Sequence, residues 1–463
     1  MQNRAAVTAT DFYELYGEYL LATAALALLG WAIFKDRRKA SLFAFVLMFY
    51  HFFFGAVQYA LKRVSENFFL AKYSVLLPLS FVLLLLLFIA LKRTKKQFSR
   101  FILYLNAALA VLLVIDLPAL FQQPARVTQL THLKPCDSCN KPDVYFIIAD
   151  EYADSASLSQ AFGFDNGRFQ AALRSRGFHL VGNSRANYNF TQYAVASMFK
   201  MDYLPNLDRR NSSKKDINAC YGSVNENELL LFFEKSGYAV KNFSVFNLAN
   251  EPAKAEYKFV PMGKTLISSQ TFLQRLKRDL GYHLVTTLKI KSEINRYAYY
   301  ARESNEALLG MLRDEARRPS PQPRFVFTHI EMPHYPYYYD SLGRQRSLAF
   351  LAGGNERNGE AYIEYLKYAN KVYLQAIDDI LQHASKPPVI MFMGDHGFRE
   401  FSQDNAVNRT YQFMNLNAVF LPDKNYSPFR DGLSGVNQFR ALLNASFGQN
   451  LPFLKDSSVY IID

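Results

Sequence analysis

Four apolar runs dominate the first quarter of the chain, at about Tyr19–Phe34, Leu42–Leu61, Tyr73–Leu91 and Phe101–Phe121. Each is close to the roughly 20 residues that a helix needs to cross hydrocarbon. Leu83–Leu87, with Phe88 and Ile89 after it, has no polar face at all. Four such runs with basic clusters between them predict four transmembrane helices within residues 1–121. His51 and Asp116 fall inside the runs. An ionisable group there is a functional candidate, and a packed or interfacial polar group is the plainer reading of either.

The pattern changes at Gln122. Residues 122–141 are polar, with Pro124 and Pro135 among them and Pro142 just after, and read as a linker. From 142 to 463, short apolar runs alternate with helical periodicity. Asp143–Ala149, Tyr238–Val245, Phe325–Thr328, Pro388–Met393 and Asn417–Leu421 read as strands; Glu228–Ser236 and Ile363–Ala384 read as helices. Apolar strands alternating with helices predict an α/β domain with a mainly parallel sheet between helices. In such sheets ligands bind beyond the carboxyl ends of the strands. Thr271–Arg296 sets Leu273, Leu276, Leu280, Leu284 and Leu288 among Lys277, Arg278, Lys289 and Lys291. It fits a helix lying on a membrane interface, although such a stretch is more often a domain helix with one solvated face.

Composition narrows this picture. The 463 residues are half apolar, with 40 Phe and 30 Tyr, which excludes a disordered chain. With 21 Gly and 3 Cys, collagen-like and disulfide-framework classes are excluded too. The formal net charge is +13, from 53 Lys and Arg against 40 Asp and Glu. The richer basic loops follow the first run (Lys35, Arg37, Arg38, Lys39) and the third (Lys92, Arg93, Lys95, Lys96, Arg100). Placing both in the cytoplasm puts the N-terminus and everything after Phe121 on the outer face of a cytoplasmic membrane. No cleavage site follows a short apolar stretch, so the first span is expected to act as the export signal and to stay. Outside the membrane a disulfide is expected, within Cys136–Cys139 or from one of them to Cys220.

Candidate chemistry sits at three strand ends. Asp143–Ala149 runs into Asp150 and Glu151; Pro388–Met393 runs through Gly394 into Asp395, His396 and Gly397; Phe325–Thr328 runs into His329 and, five residues on, His334. Carboxylates and histidines converging on one sheet edge make a divalent-metal site. Taken singly, each motif reads as well as a turn at the start of a loop.

The segments VYFIIADEY, THIEMPHYPY and VIMFMGDHG occur in the order and spacing of the sulfatase-like branch of the alkaline phosphatase superfamily. The chain most resembles membrane-anchored lipoteichoic acid synthases, phosphoglycerol transferases and phosphoethanolamine transferases. The resemblance implies a nucleophile at a helix start between the first acid pair and the histidine loop. Thr191, in NYNFTQYAVASMF, looks like that nucleophile, with Ser197 as the fallback. A Thr at a helix N-terminus gains from the dipole and from backbone N–H groups able to hold a phosphoryl oxygen; a simple cap would use it too.

The resemblance further implies one divalent metal (Mn, Mg or Zn) held by Glu151, Asp395 and His396 together with Asp150, Glu151 being the first choice of the acid pair. It gives His334 and His329 phosphate-binding or proton-transfer roles. No cysteine has the sulfatase context for conversion to formylglycine, and Phe398–Leu416 has no His for a second metal. The expected activity is transfer of a phosphoglycerol- or phosphoethanolamine-type headgroup from a membrane phospholipid to a glycan, lipid or polymer hydroxyl, through a phosphothreonine. No nucleic-acid partner is expected. The alternatives are a phosphodiesterase or other ester hydrolase with water as acceptor and, from another class, an inactive membrane anchor or sensor.

Overall fold

The computed structural model of the chain describes residues 9–64, 68–121, 129–136, 139–205, 207, 214–248, 250–255, 263–351 and 354–462. Part of the expected linker (122–128, 137 and 138) and the Asp116 side chain lie outside them. Two compact units form: Asn3–Pro124 with Phe259–Ile294, and Ala125–Lys258 with Asn295–Asp463. Residues 259–294, expected within a continuous 142–463 domain, cluster with the first unit instead.

In the first unit the apolar runs are helices α1 (Ala9–Phe34), α2 (Arg37–Val64), α3 (Tyr73–Arg93) and α4 (Ser99–Phe121). Among the described residues, three helices are long and apolar enough to cross a membrane, corresponding to α1, α2 and α3. In α4 the described apolar stretch is the shorter Ser99–Ile115. Lys39 Nζ donates to Thr94 O at 2.6 Å and Arg38 Nη1 to Gln97 at 3.1 Å, so the two richer basic loops meet at one end of the helices. His51 packs edge-on against Tyr19, with ring centroids 5.6 Å apart.

In the second unit six strands form one sheet: β1 (Val144–Ala149), β2 (His179–Leu180), β3 (Ala239–Phe243), β4 (Arg324–Ile330), β5 (Val389–Met393) and β6 (Asn417–Phe420), in the order β2-β6-β5-β1-β4-β3. Pairs β1–β4, β1–β5 and β3–β4 are parallel, while β6 runs antiparallel to both β5 and β2. Every residue of β1, β4 and β5 is buried, as central strands covered on both faces require.

The pleat explains the covering. Phe146 and Phe327 are register partners and share a face, where Phe199 and Phe439 meet Phe146 at 6.0 and 4.8 Å between centroids. Those rings come from the helices Thr191–Lys200 and Gly435–Ser446. Phe392 is in register with Ile147 and points the other way, against Phe169 and Tyr373 of the helices Gly167–Ser175 and Gly359–His383. Cys136 and Cys139 form a disulfide, and Cys220 is a free, buried thiol.

Candidate active site

The parallel register brings three chain segments to one edge. Ala149 pairs with Ile330 and Ile148 with both His329 and Met393, so Asp150, His329 and the loop after Met393 emerge side by side. Gly394 and Gly397 bracket Asp395 and His396 because backbone crowds both positions. A Cβ at Gly394 would meet Tyr152 O at 2.5 Å, and one at Gly397 would meet Tyr411 O at 2.1 Å.

The acids are locked by main-chain donors. Asp395 Oδ1 accepts from the backbone N–H of Glu151 at 3.0 Å and of His396 at 2.9 Å. Glu151 adopts φ +61°, a costly conformation for a non-glycine residue and one found at functional sites. Its Oε1 accepts from Arg399 N at 2.7 Å, and Tyr362 donates to its carbonyl at 2.8 Å.

His396 Nδ1 lies 2.8 Å from Gly397 O. A carbonyl can only accept, so the proton is on Nδ1 and the Nε2 lone pair faces the site. Burial, the largest influence, lowers the His396 pKa and keeps the ring neutral. That lone pair faces Thr191 Oγ1 at 3.3 Å, and Asp150 Oδ2 lies 3.5 Å from the same hydroxyl, whose one proton goes to one of the two at a time. Phe190, not Thr191, is the N-cap of the Thr191–Lys200 helix, so Thr191 is its first helical residue. Its hydroxyl therefore faces the acids instead of closing a cap, while the first-turn N–H groups and the dipole favour an anion beside it.

One donor atom each from Asp150, Asp395 and His396 fit within 4.8 Å of one another, all three residues buried. Three carboxylate oxygens here, Asp150 Oδ1, Glu151 Oε2 and Asp395 Oδ2, are buried without a hydrogen-bond partner. Unpaired buried anionic oxygens are costly unless a cation meets them. The donor set therefore fits a divalent metal. Glu151 stands outside the three-residue group but adds one of the orphaned oxygens.

The histidine loop supplies positive charge. His329 Nε2 lies 3.0 Å from Asp150 Oδ2, and its ring stacks on Phe246. His334 Nε2 lies 4.0 Å from Glu151 Oε2, and its Nδ1 lies 3.7 Å from Glu331. Both prolines flanking His334 follow cis peptide bonds. Burial works against the charged form of His334, yet Glu151, Asp150 and Glu331 outweigh it and raise its pKa to about 9. Burial raises Glu151 to about 7, against the pull of His334 and Arg399, and raises Glu331 to about 8. Burial also opposes the Asp150 carboxylate, but His334, His329 and His396 outweigh it and hold that carboxyl below the usual range.

Two residues here were not singled out from sequence, Glu331 and Arg399. The Arg399 guanidinium lies 4.5 Å over the Phe190 ring, and its buried Nε has no hydrogen-bond partner. Arg399 follows Asp395 by four residues, and only its neighbourhood to the Asp-His motif could have flagged it. Ser197 is buried and donates back to Ala194 O, away from the acids. Tyr337 and Tyr338 are fully buried, so these two of the Tyr335–Tyr339 run serve packing.

No protein-family model and no curated protein matches the chain. Among solved structures it is similar to the C-terminal periplasmic domain of EcEptC from Escherichia coli in complex with Zn, at 14% identity and a TM-score of 0.42, over 71% of this chain and 90% of that one. It is similar to the C-terminal periplasmic domain of phosphoethanolamine transferase EptC from Campylobacter jejuni, at 15% identity and 0.40, over 66% and 89%. A third is the phosphonate monoester hydrolase of Agrobacterium radiobacter, at 14% and 0.39, over 66% and 73%.

Proposed function

We propose that the chain is a metal-dependent phosphotransferase. In this reading it is anchored by α1–α4 as four spans, with the α/β unit on the outer face of a cytoplasmic membrane. The observation that carries it is the placement of Thr191: a helix-initiating hydroxyl beside His396 and Asp150 in a cluster of orphaned carboxylate oxygens. Asp150, Asp395 and His396, with Glu151 beside them, would hold one divalent metal. When bound, such an ion neutralises the acids, lowers the pKa of a neighbouring hydroxyl and polarises a phosphoryl oxygen.

Thr191 Oγ1 attacks the phosphorus of a phospholipid headgroup, its proton leaving in the direction of Asp150 Oδ2. The bond to the lipid alcohol breaks as the phosphothreonine ester forms. His334, cationic at neutral pH, gives its proton to the departing alcohol. An acceptor hydroxyl then attacks the ester and gives its proton to His334, while Thr191 Oγ1 leaves and takes back its proton from Asp150. His329 holds Asp150 in place. The phospholipid donor and the glycan, lipid or polymer acceptor come from the motif resemblance and the apolar helices.

The test is the intact mass of wild-type and Thr191→Ala protein after incubation with mixed membrane phospholipids and Mn²⁺. An adduct on the wild type alone establishes the nucleophile, and its mass names the headgroup. Headgroup release without an adduct would instead make the protein a hydrolase. The absence of both adduct and headgroup release would overturn the proposal.

A further inference from the structure

The first unit contains a piece of sequence from far downstream. The helices Lys264–Ser268 and Phe272–Thr287 belong to it although they lie between β3 and β4 in the chain. They are seated tightly. Gly55 N, in α2, donates to Gln270 O at 2.9 Å, and a Cβ at Gly55 would come within 2.4 Å of that oxygen. The Phe272 ring lies 5.1 Å from both Tyr50 and Phe54 of α2. Tyr73, the first residue of α3, donates to Asp279, and Lys264 pairs with Glu14 of α1 at 2.6 Å. The first half of α1, the last half of α2 and the start of α3 all belong to the same end of an up-down-up bundle. The inserted segment therefore sits at one membrane face.

Its free surface is the wrong kind for water. At roughly 100° per residue, Leu273, Leu280, Leu284 and Leu288 fall on one stripe beside the seat marked by Phe272 and Asp279. Leu273 is 61 % exposed, Leu284 46 % and Leu288 68 %. Gln274 and Arg278 flank the stripe on its other side, roughly 80° and 120° round from Leu284. Lys277, Lys289 and Lys291 are exposed and make no ion pair among the described residues, while Asp279 is taken by Arg278 at 2.6 Å. An apolar stripe continuous with a membrane-facing bundle, with Lys277 within it and Lys289 and Lys291 past the helix end, is the pattern of a helix lying in an anionic headgroup layer with its lysine stems reaching out to the headgroups.

We propose that Phe272–Thr287, with the turn through Ile290, lies in the membrane interface, its leucine stripe in the acyl boundary and Lys277, Lys289 and Lys291 against acidic phospholipid headgroups. The inference rests on reading α1–α3 as spans. The segment then fixes Lys264 and Ile290 at the bilayer surface.

The full chain, reconstituted in vesicles of phosphatidylcholine with one-third phosphatidylglycerol, carries a nitroxide on a single introduced cysteine at Leu284, Gln274 or Leu85 of α3. Collision with oxygen is compared with collision with a water-soluble nickel chelate. Leu284 is expected to resemble Leu85 in favouring oxygen, and Gln274 to favour the chelate. A Leu284 label as aqueous as Gln274, beside a lipidic Leu85, overturns the inference; an aqueous Leu85 overturns the span reading and this inference with it. Leu273 replaces Leu284 if that variant fails to insert. The triple variant Lys277→Gln, Lys289→Gln, Lys291→Gln is expected to lower the preference for phosphatidylglycerol around the protein at least about threefold, and an unchanged preference removes the headgroup contact.

Discussion

At the amino ends of β1 and β4, Arg324 is 4 % exposed and all three of its guanidinium nitrogens are used. Nε and Nη2 reach Asp143 Oδ2 at 3.0 and 2.6 Å, and Nη1 reaches Glu315 O, Glu315 Oε1 and Arg318 O. At the carboxyl ends of the same strands, Asp150, Glu151 and Asp395 are as deeply buried, and each has an oxygen with no hydrogen-bond partner. Both ends bury charge at comparable depth. Only the second leaves carboxylate oxygens without a hydrogen-bond partner, with histidine nitrogens standing 3.4, 3.8 and 4.0 Å from them, and it does so with the positive-φ Glu151 held by its neighbours. A buried ion pair that is fully bonded is structure; a buried cluster with oxygens left over is waiting for a cation or a substrate.

The largest expected effect comes from removing an orphaned charge while keeping its shape. In Asp395→Asn the remaining oxygen still accepts from Glu151 N and His396 N, and an amide replaces the unpaired oxygen. Phosphodiester turnover should fall by at least about 10³-fold, as for loss of a group that activates the nucleophile. The metal-free protein should meanwhile melt about 2–4 °C higher, a gain on the order of 1 kcal/mol. An unchanged or lower melting temperature would mean that the carboxyl edge is not strained by its charge, and the contrast between the two ends would fail.

Arg324→Met is the converse. It strands Asp143 and Glu315 without their partner, and breaking a buried pair costs about 3–5 kcal/mol. Urea unfolding of the α/β unit should show that loss, while turnover per folded molecule stays at the wild-type value. Turnover that drops with the mutation would make the amino edge part of the site.

How much of this could be read from sequence differs between the two ends as well. The apolar runs of β1 and β5 and the acids after them lie next to one another in the chain, so Asp150, Glu151, Asp395 and His396 could be placed at strand ends. Thr191 needed the resemblance, because a Thr before an apolar helical run looks the same when it only caps. The choice between Asp150 and Glu151 was not legible. In the fold Asp150 groups with Asp395 and His396, while Glu151, at positive φ, stands beside them with one oxygen unpartnered. The Arg324–Asp143–Glu315 network was equally hidden, since its members are brought together only by packing. The antiparallel direction of β6 and the membership of Phe259–Ile294 in the first unit were missed for the same reason: neither strand direction nor long-range docking leaves a local period.

Metal binding should separate the two ends again, by a smaller amount. Mn²⁺ at about 100 times its dissociation constant stabilises a protein that binds it only when folded by about 2.7 kcal/mol. Wild type and Arg324→Met should both gain that much in urea unfolding, and chelator should reverse it. Asp395→Asn should gain little or nothing. Equal stabilisation of all three would place the ion elsewhere.

Arg399 sharpens the comparison because it is an arginine of the open end. Its backbone N–H, which holds Glu151 at 2.7 Å, survives any side-chain substitution. Its guanidinium, unlike that of Arg324, keeps a buried Nε unbonded and faces Phe190, the residue before Thr191. One charge-assisted hydrogen bond to a phosphoryl oxygen is worth about 1.5–3 kcal/mol, so Arg399→Gln should lower kcat/KM by about 10- to 100-fold. The melting temperature and Mn²⁺ stabilisation should stay near wild type, and Arg399→Lys should recover part of the activity by restoring the charge without the fork. If Arg399→Gln instead destabilises the fold as Arg324→Met is expected to, the bonding left open in Arg399 is not reserved for substrate. A loss confined to kcat/KM would show that the carboxyl edge carries unsatisfied groups of both signs, set for a metal and for the phosphate it activates.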